Sequence, residues 1–106
     1  MKTINFDYTT FCRIRKMLKN VVYWLDKNNN YKIYKFEISR IEIEPDQDND
    51  LVITIELSPI DTNKFTQYCS NVYISYDTFD SQVVYSYDAA RKLQAKKLYE
   101  RQGSLF

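Results

Sequence analysis

Six carboxylates crowd one short stretch of the chain: Glu42, Glu44, Asp46, Asp48, Asp50 and Glu56. Asp46-x-Asp48-x-Asp50 has the spacing with which a calcium loop begins. Leu51, however, stands where such a loop needs glycine, and Leu57 where it needs a bidentate glutamate, so the segment reads as a solvated loop. Glu42, Glu44 and Glu56 fall on the outward face of an expected hairpin. Water keeps all three ionised there, and nothing desolvates one of a pair into a general acid. The chain has no histidine, which removes His-based triads, Cys–His pairs and His metal ligands. Its one glycine, Gly103, leaves no material for a phosphate-cradling loop. The residue types therefore point to a binding protein, not an enzyme, with no metal and no cofactor.

The net charge of +1 conceals a strong segregation. Residues 1–40 carry nine Lys/Arg against three Asp/Glu, a net of +6; residues 41–88 carry one against ten, a net of −9; residues 89–106 carry five against one, a net of +4. Such asymmetry bears on partners more than the total does. The acidic middle suits mimicry of a row of phosphates. The cations Arg91, Lys92, Lys96, Lys97 and Arg101 suit non-specific proximity to DNA, and Arg13, Arg15, Lys16 and Lys19 form a second basic set. Ten Tyr and six Phe are assigned chiefly to the core and strand faces.

The last five residues, Gln102-Gly103-Ser104-Leu105-Phe106, resemble the short peptide by which bacterial replication and repair proteins hold the sliding clamp: Gln, two variable residues, Leu or Met, then Phe. The resemblance covers these five residues and says nothing of the rest of the chain. It implies Gln102 as polar anchor, Leu105 and Phe106 as the pair that fills an apolar pocket, and Ser104 at a position often small or acidic. Gly103 departs from the common leucine and should weaken binding. A match that ends on the last residue is less expected by accident than one placed elsewhere. Two bulky apolar groups side by side seek a pocket, each burial stabilising by about 1.5–3 kcal/mol; the alternative pocket is this protein's own core.

Stepping outward to the elements, Phe11, Ile14, Leu18, Val21, Val22 and Leu25 recur at helical spacing and predict one helix over residues 8–27. It would be capped by Asp7, Thr9 or Thr10 and ended by Asn28-Asn29-Asn30. Tyr31 to Glu44 reads as a strand whose inward parity flips near Ser39-Arg40, the mark of a β-bulge. Leu51 to Leu57 alternates with period two and predicts an antiparallel hairpin. Its expected register pairs Ile43 with Leu51, Ile41 with Ile53, Ile38 with Ile55 and Phe36 with Leu57. Val72 to Tyr76 suggests a third strand, residues 77–80 a turn, and Val83 to Tyr87 a fourth strand with an exposed edge. A final helix over residues 89–101 would be capped by Asp88. Its thin apolar stripe, Ala90, Leu93 and Leu98, predicts a stem that packs weakly on the rest.

The expected fold class is α+β: an N-terminal helix on a three- or four-stranded antiparallel sheet, with a basic C-terminal helix and short tail. Residues 1–88 form the α+β domain and residues 89–106 the basic helix and binding tail. No secretory signal or membrane span is legible, and Cys12 and Cys69 are expected as reduced thiols of a cytoplasmic protein. The functional expectation is a replication or repair accessory, or a phage or mobile-element protein, that binds the sliding clamp through its tail. Two alternatives are an anti-defence inhibitor using the acidic hairpin as a DNA mimic, and a nucleic-acid-binding module using the basic residues with stacked tyrosines.

Overall fold

The computed structural model describes residues 8–60 and 67–103, with the side chains of Gln102 and Gly103 left aside. Its elements run α1 (Tyr8–Met17), β1 (Val21–Asp26), β2 (Lys32–Pro45), β3 (Leu51–Pro59), β4 (Val72–Ser75), α2 (Phe79–Gln82), β5 (Val83–Val84) and α3 (Tyr87–Gly103), with 3-10 turns at Lys27–Asn29 and Tyr76–Thr78. The class is α+β. The sheet is antiparallel and has five strands in the order β4-β3-β2-β1-β5, where the sequence suggested three or four.

The additional strand comes from the expected first helix, which stops at Met17. Lys19 adopts a left-handed backbone (φ 66°), and the Asn20 side-chain amide donates to the Lys16 carbonyl at 3.0 Å, closing the last turn. The Val-Val-Tyr-Trp-Leu run that follows is β-branched and aromatic, which favours a pleated surface. It pairs along its whole length with β2, Val22 opposite Phe36 and Trp24 opposite Tyr34. Leu18, Val21, Val22 and Leu25 fit helical spacing, but the strand supplies the pairing partners that a helix there would lack.

The bulge expected near Ser39-Arg40 is present: the β2–β3 register shifts between Ile38 and Arg40. Ile38 lies opposite Leu57, Ile41 opposite Ile55, Ile43 opposite Ile53 and Phe36 opposite Pro59. Every expected pairing is thus offset by two residues on β3, because the loop is tighter than assumed. Pro45 still pairs with Leu51, and Asp46 N–H donates to the Asp50 carbonyl at 2.8 Å. An offset of two preserves the parity of the strand, so the inward set is unchanged.

One face of the sheet carries the core: Val22, Tyr34, Phe36, Ile38, Ile55, Leu57, Ile74 and Val83, packed with Met17 of α1 and Phe79 of α2. Burial of side chains this size stabilises by about 1.5–3 kcal/mol each. Trp24, Tyr34, Phe36 and Tyr68 form a ring cluster at one end of this face, with Tyr34 and Tyr68 centroids 4.8 Å apart and Trp24 and Tyr68 5.1 Å apart, both edge-on.

The opposite face is divided. Helix α3 covers its β5-β1-β2 end. Ala90 is fully buried, the Tyr87 and Tyr23 rings meet at 6.0 Å, and Gln94 Nε2 donates to the Tyr31 carbonyl at 3.0 Å. Ser86, not Asp88, caps the helix, its Oγ accepting from Ala89 N–H at 3.1 Å; Asp88 in the first turn favours the helix dipole. The expected weak stem is therefore a docked helix, because small and polar side chains on α3 meet the sheet where long apolar ones were looked for. The strand expected over residues 83–87, here β5, is only two residues long, and the 77–80 segment is a 3-10 turn running into α2. No helix among the described residues is long and apolar enough to cross a membrane.

Candidate functional site

The last turn of α3 carries Arg101, Gln102 and Gly103, at the start of the Gln102–Phe106 segment. Arg101 reaches the turn between β1 and β2, donating from Nη1 to Asn30 Oδ1 at 3.3 Å and from Nη2 to the Lys27 carbonyl at 3.2 Å. Its guanidinium also stacks 4.8 Å over the Tyr31 ring. The turn itself is held by Asp26, whose Oδ1 accepts from Asn28 N–H at 3.1 Å, and by Asn30 and Tyr31 in left-handed conformation (φ 53° and 58°). Gln102 and Gly103 still belong to α3, which runs two residues past the expected end at residue 101. Ser104, Leu105 and Phe106 lie outside the described residues, and with them the expected pocket-filling pair.

The five C-terminal cations do not act as one patch. Arg91, Lys92 and Lys96 are exposed, Lys97 is half-buried, and Arg101 is committed to the hairpin turn. Lys97 joins Leu25, Lys27, Tyr31 and Leu93 around a cavity of about 350 Å³ beneath the helix. The second basic set lies on α1, which packs through Met17 on the other face of the sheet. There Arg13 pairs with Asp80 at 3.4 Å and lies 5.8 Å from the Tyr76 ring centre. The two cationic helices thus lie on opposite faces of the sheet.

The acidic residues fall where the strand pattern puts them, on the half of the outer face that α3 leaves open. Glu42 pairs with Arg40 at 2.7 Å, Glu44 is exposed, and Glu56 lies between Arg40 and Tyr73 in the ladder. Ser39 Oγ meets Glu56 Oε1 at 3.1 Å and accepts from Ser58 Oγ at 2.8 Å. A hydrogen bond to the Glu56 carboxylate, together with its charge, holds the Tyr73 phenol above its ordinary pKa.

At the loop, Asp46 Oδ1 accepts from Asp48 and Asp50 N–H at 2.8 and 3.0 Å. Ligand atoms of Asp46, Asp48 and Asp50 lie within 4.8 Å of one another. These contacts are what an Asp-anchored turn requires, so the cluster has a structural explanation without an ion.

Sequence reasoning did not single out Trp24, Asp26 and Tyr68, which line a cavity of about 390 Å³ on the core side of the first hairpin. The signal was available in principle: once 21–26 is read as a strand, Trp24 and Asp26 share the parity of Val22 and face Tyr34 and Lys32. Cys12 and Cys69 are free thiols, one half-buried and one exposed. No family model matches the chain, and no curated protein and no solved structure matches it.

Proposed function

We propose that this chain is a non-enzymatic accessory of DNA replication or repair, of host or mobile-element origin, that docks on the bacterial sliding clamp through Gln102–Phe106. The observation that carries the reading is the anchorage of Arg101 to Lys27, Asn30 and Tyr31 immediately before the Gln-x-x-Leu-Phe segment. A peptide ligand binds more tightly when its stem is already fixed, because less freedom is lost on docking. Arg91, Lys92 and Lys96, exposed on the same helix, add a cationic flank suited to a partner that encircles DNA. Capture on purified clamp tests this: the parent chain is retained and Leu105→Ala/Phe106→Ala is not. Equal retention of both sinks the proposal.

A second reading has its own support. The uncovered half of the outer face joins Glu42, Glu44 and Glu56 to the Asp46–Asp50 loop in one acidic surface. Such a surface suits an inhibitor that takes the place of DNA on a basic protein, and the partner is then displaced by DNA and by salt. Unchanged DNA binding by candidate nucleases at saturating protein rejects it.

A further inference from the structure

The shallow, open cleft beside the first hairpin joins a buried carboxylate to aromatic side chains. Asp26 is 9% exposed, yet it forms no ion pair among the described residues. Its one described side-chain bond is the Asn28 N–H donation to Oδ1. Leaving a carboxylate so far from water without a cation is costly. Tyr68 and Trp24 stand next to it, edge-on to each other at 5.1 Å, and both line the same cavity of about 390 Å³ with Asp26, Asn28, Ser70, Asn71 and Gln82. The Trp24 indole N–H is buried and has no acceptor among the described residues. Burial and the nearby Asp26 charge push the Tyr68 phenol above its ordinary pKa.

We propose that this cavity binds a basic amino-acid side chain, guanidinium or alkylammonium, with Asp26 as its counter-ion and the Trp24 and Tyr68 rings as its walls. A cation held against aromatic faces gains from their negative quadrupole, and a carboxylate already desolvated attracts it more strongly than one in water. Among the described residues, the chain's own cations leave this role open. Lys32, across the strand pair from Asp26, lies over the Tyr34 ring at 5.2 Å, on a ring outside the Trp24–Tyr68 pair. Lys27 lines the cavity but is exposed to solvent. With the Lys27 ammonium at the rim, the favoured ligand carries a carbonyl or carboxylate beside its cation, as a basic residue does. This inference is independent of clamp docking.

Trp24 is the single tryptophan of the chain, so its emission reads the cavity directly. Titration with Nα-acetylarginine amide and Nα-acetyllysine amide should give a saturable change in emission. The neutral norleucine analogue should give none, and free arginine separates a metabolite site from a peptide site by its relative affinity. Asp26→Asn keeps the acceptor that holds the turn and removes the charge; it should weaken binding at least about tenfold, or 1.4 kcal/mol, with an unchanged circular dichroism spectrum. Tyr68→Leu, which removes one wall without touching the turn, should weaken it severalfold. Absence of a saturable change with both cations, or an Asp26→Asn chain that binds them as the parent does, overturns the proposal.

Discussion

Two hairpins share the long strand β2, and both close with the same local device. Asp26 in the first and Asp46 in the second each turn a carboxylate oxygen onto backbone N–H groups two residues ahead, and each turn contains an Asn in left-handed conformation, Asn30 (φ 53°) and Asn49 (φ 62°). Beyond that they diverge. The first turn is overlaid by Arg101 and Gln94 from α3 and backed by the Trp24–Tyr34–Tyr68 rings. The second extends from the sheet with three carboxylates around its own loop. Local chemistry makes the turn; what packs on it decides whether its aspartate is a counter-ion in waiting or one more solvated charge.

The sharpest way to separate the two ends of β2 is to hollow each in turn. Phe36→Ala, at a fully buried ring, should cost about 3–5 kcal/mol in chemical denaturation. Ile43→Ala, at a side chain 39% exposed, should cost about 1 kcal/mol or less; equal losses would erase the distinction. At the turns themselves, Asp26→Ala should cost about 1–2 kcal/mol. Asp46→Ala should cost about 0.5–1 kcal/mol, because the N–H groups it frees can turn to water. Asp26→Asn should stay within about 0.5 kcal/mol of the parent, since it retains the acceptor. Arg101→Ala should lose about 1 kcal/mol and speed amide exchange in the last turn of α3 without touching the second hairpin.

The smallest effect is in alkali. Tyr68 and Tyr73 titrate above the ordinary 10.0 in the folded chain. The stability they confer is therefore complete below pH 10 and is lost as pH rises through their folded values. Absorbance titration should show them as late tyrosinates, and Tyr73→Phe should remove one.

Much of this fold could be read from alternation alone. The parity flip at Ser39-Arg40 disclosed the bulge, and the outward placement of Glu42, Glu44 and Glu56 followed from period two. The first strand was hidden because Leu18, Val21, Val22 and Leu25 satisfy a helical stripe and a two-sided strand equally well, and only the pairing with Phe36 and Tyr34 decides between them. The docking of α3 was hidden for a different reason. It rests on the buried Ala90, on Gln94, whose partner is a carbonyl, and on Arg101, whose partners are a ring and an asparagine far away in sequence, and no apolar stripe announces such contacts. The cavity around Asp26 depends on both missed elements of the hairpin: the strand that carries it and the turn that it caps.

The extra residue in β2 sets a rule for how this chain can change. Removing Ser39 would restore strict alternation through the strand and would leave Ile41 and Ile43 on the oily side with Arg40, Glu42 and Glu44 in water, whereas a residue gained or lost between Arg40 and Ile43 would turn the rest of the strand inside out. Drift in this lineage can therefore lose the bulge without inverting the strand, while the spacing from Arg40 to Glu44, which alternates charge with isoleucine, is inherited strictly.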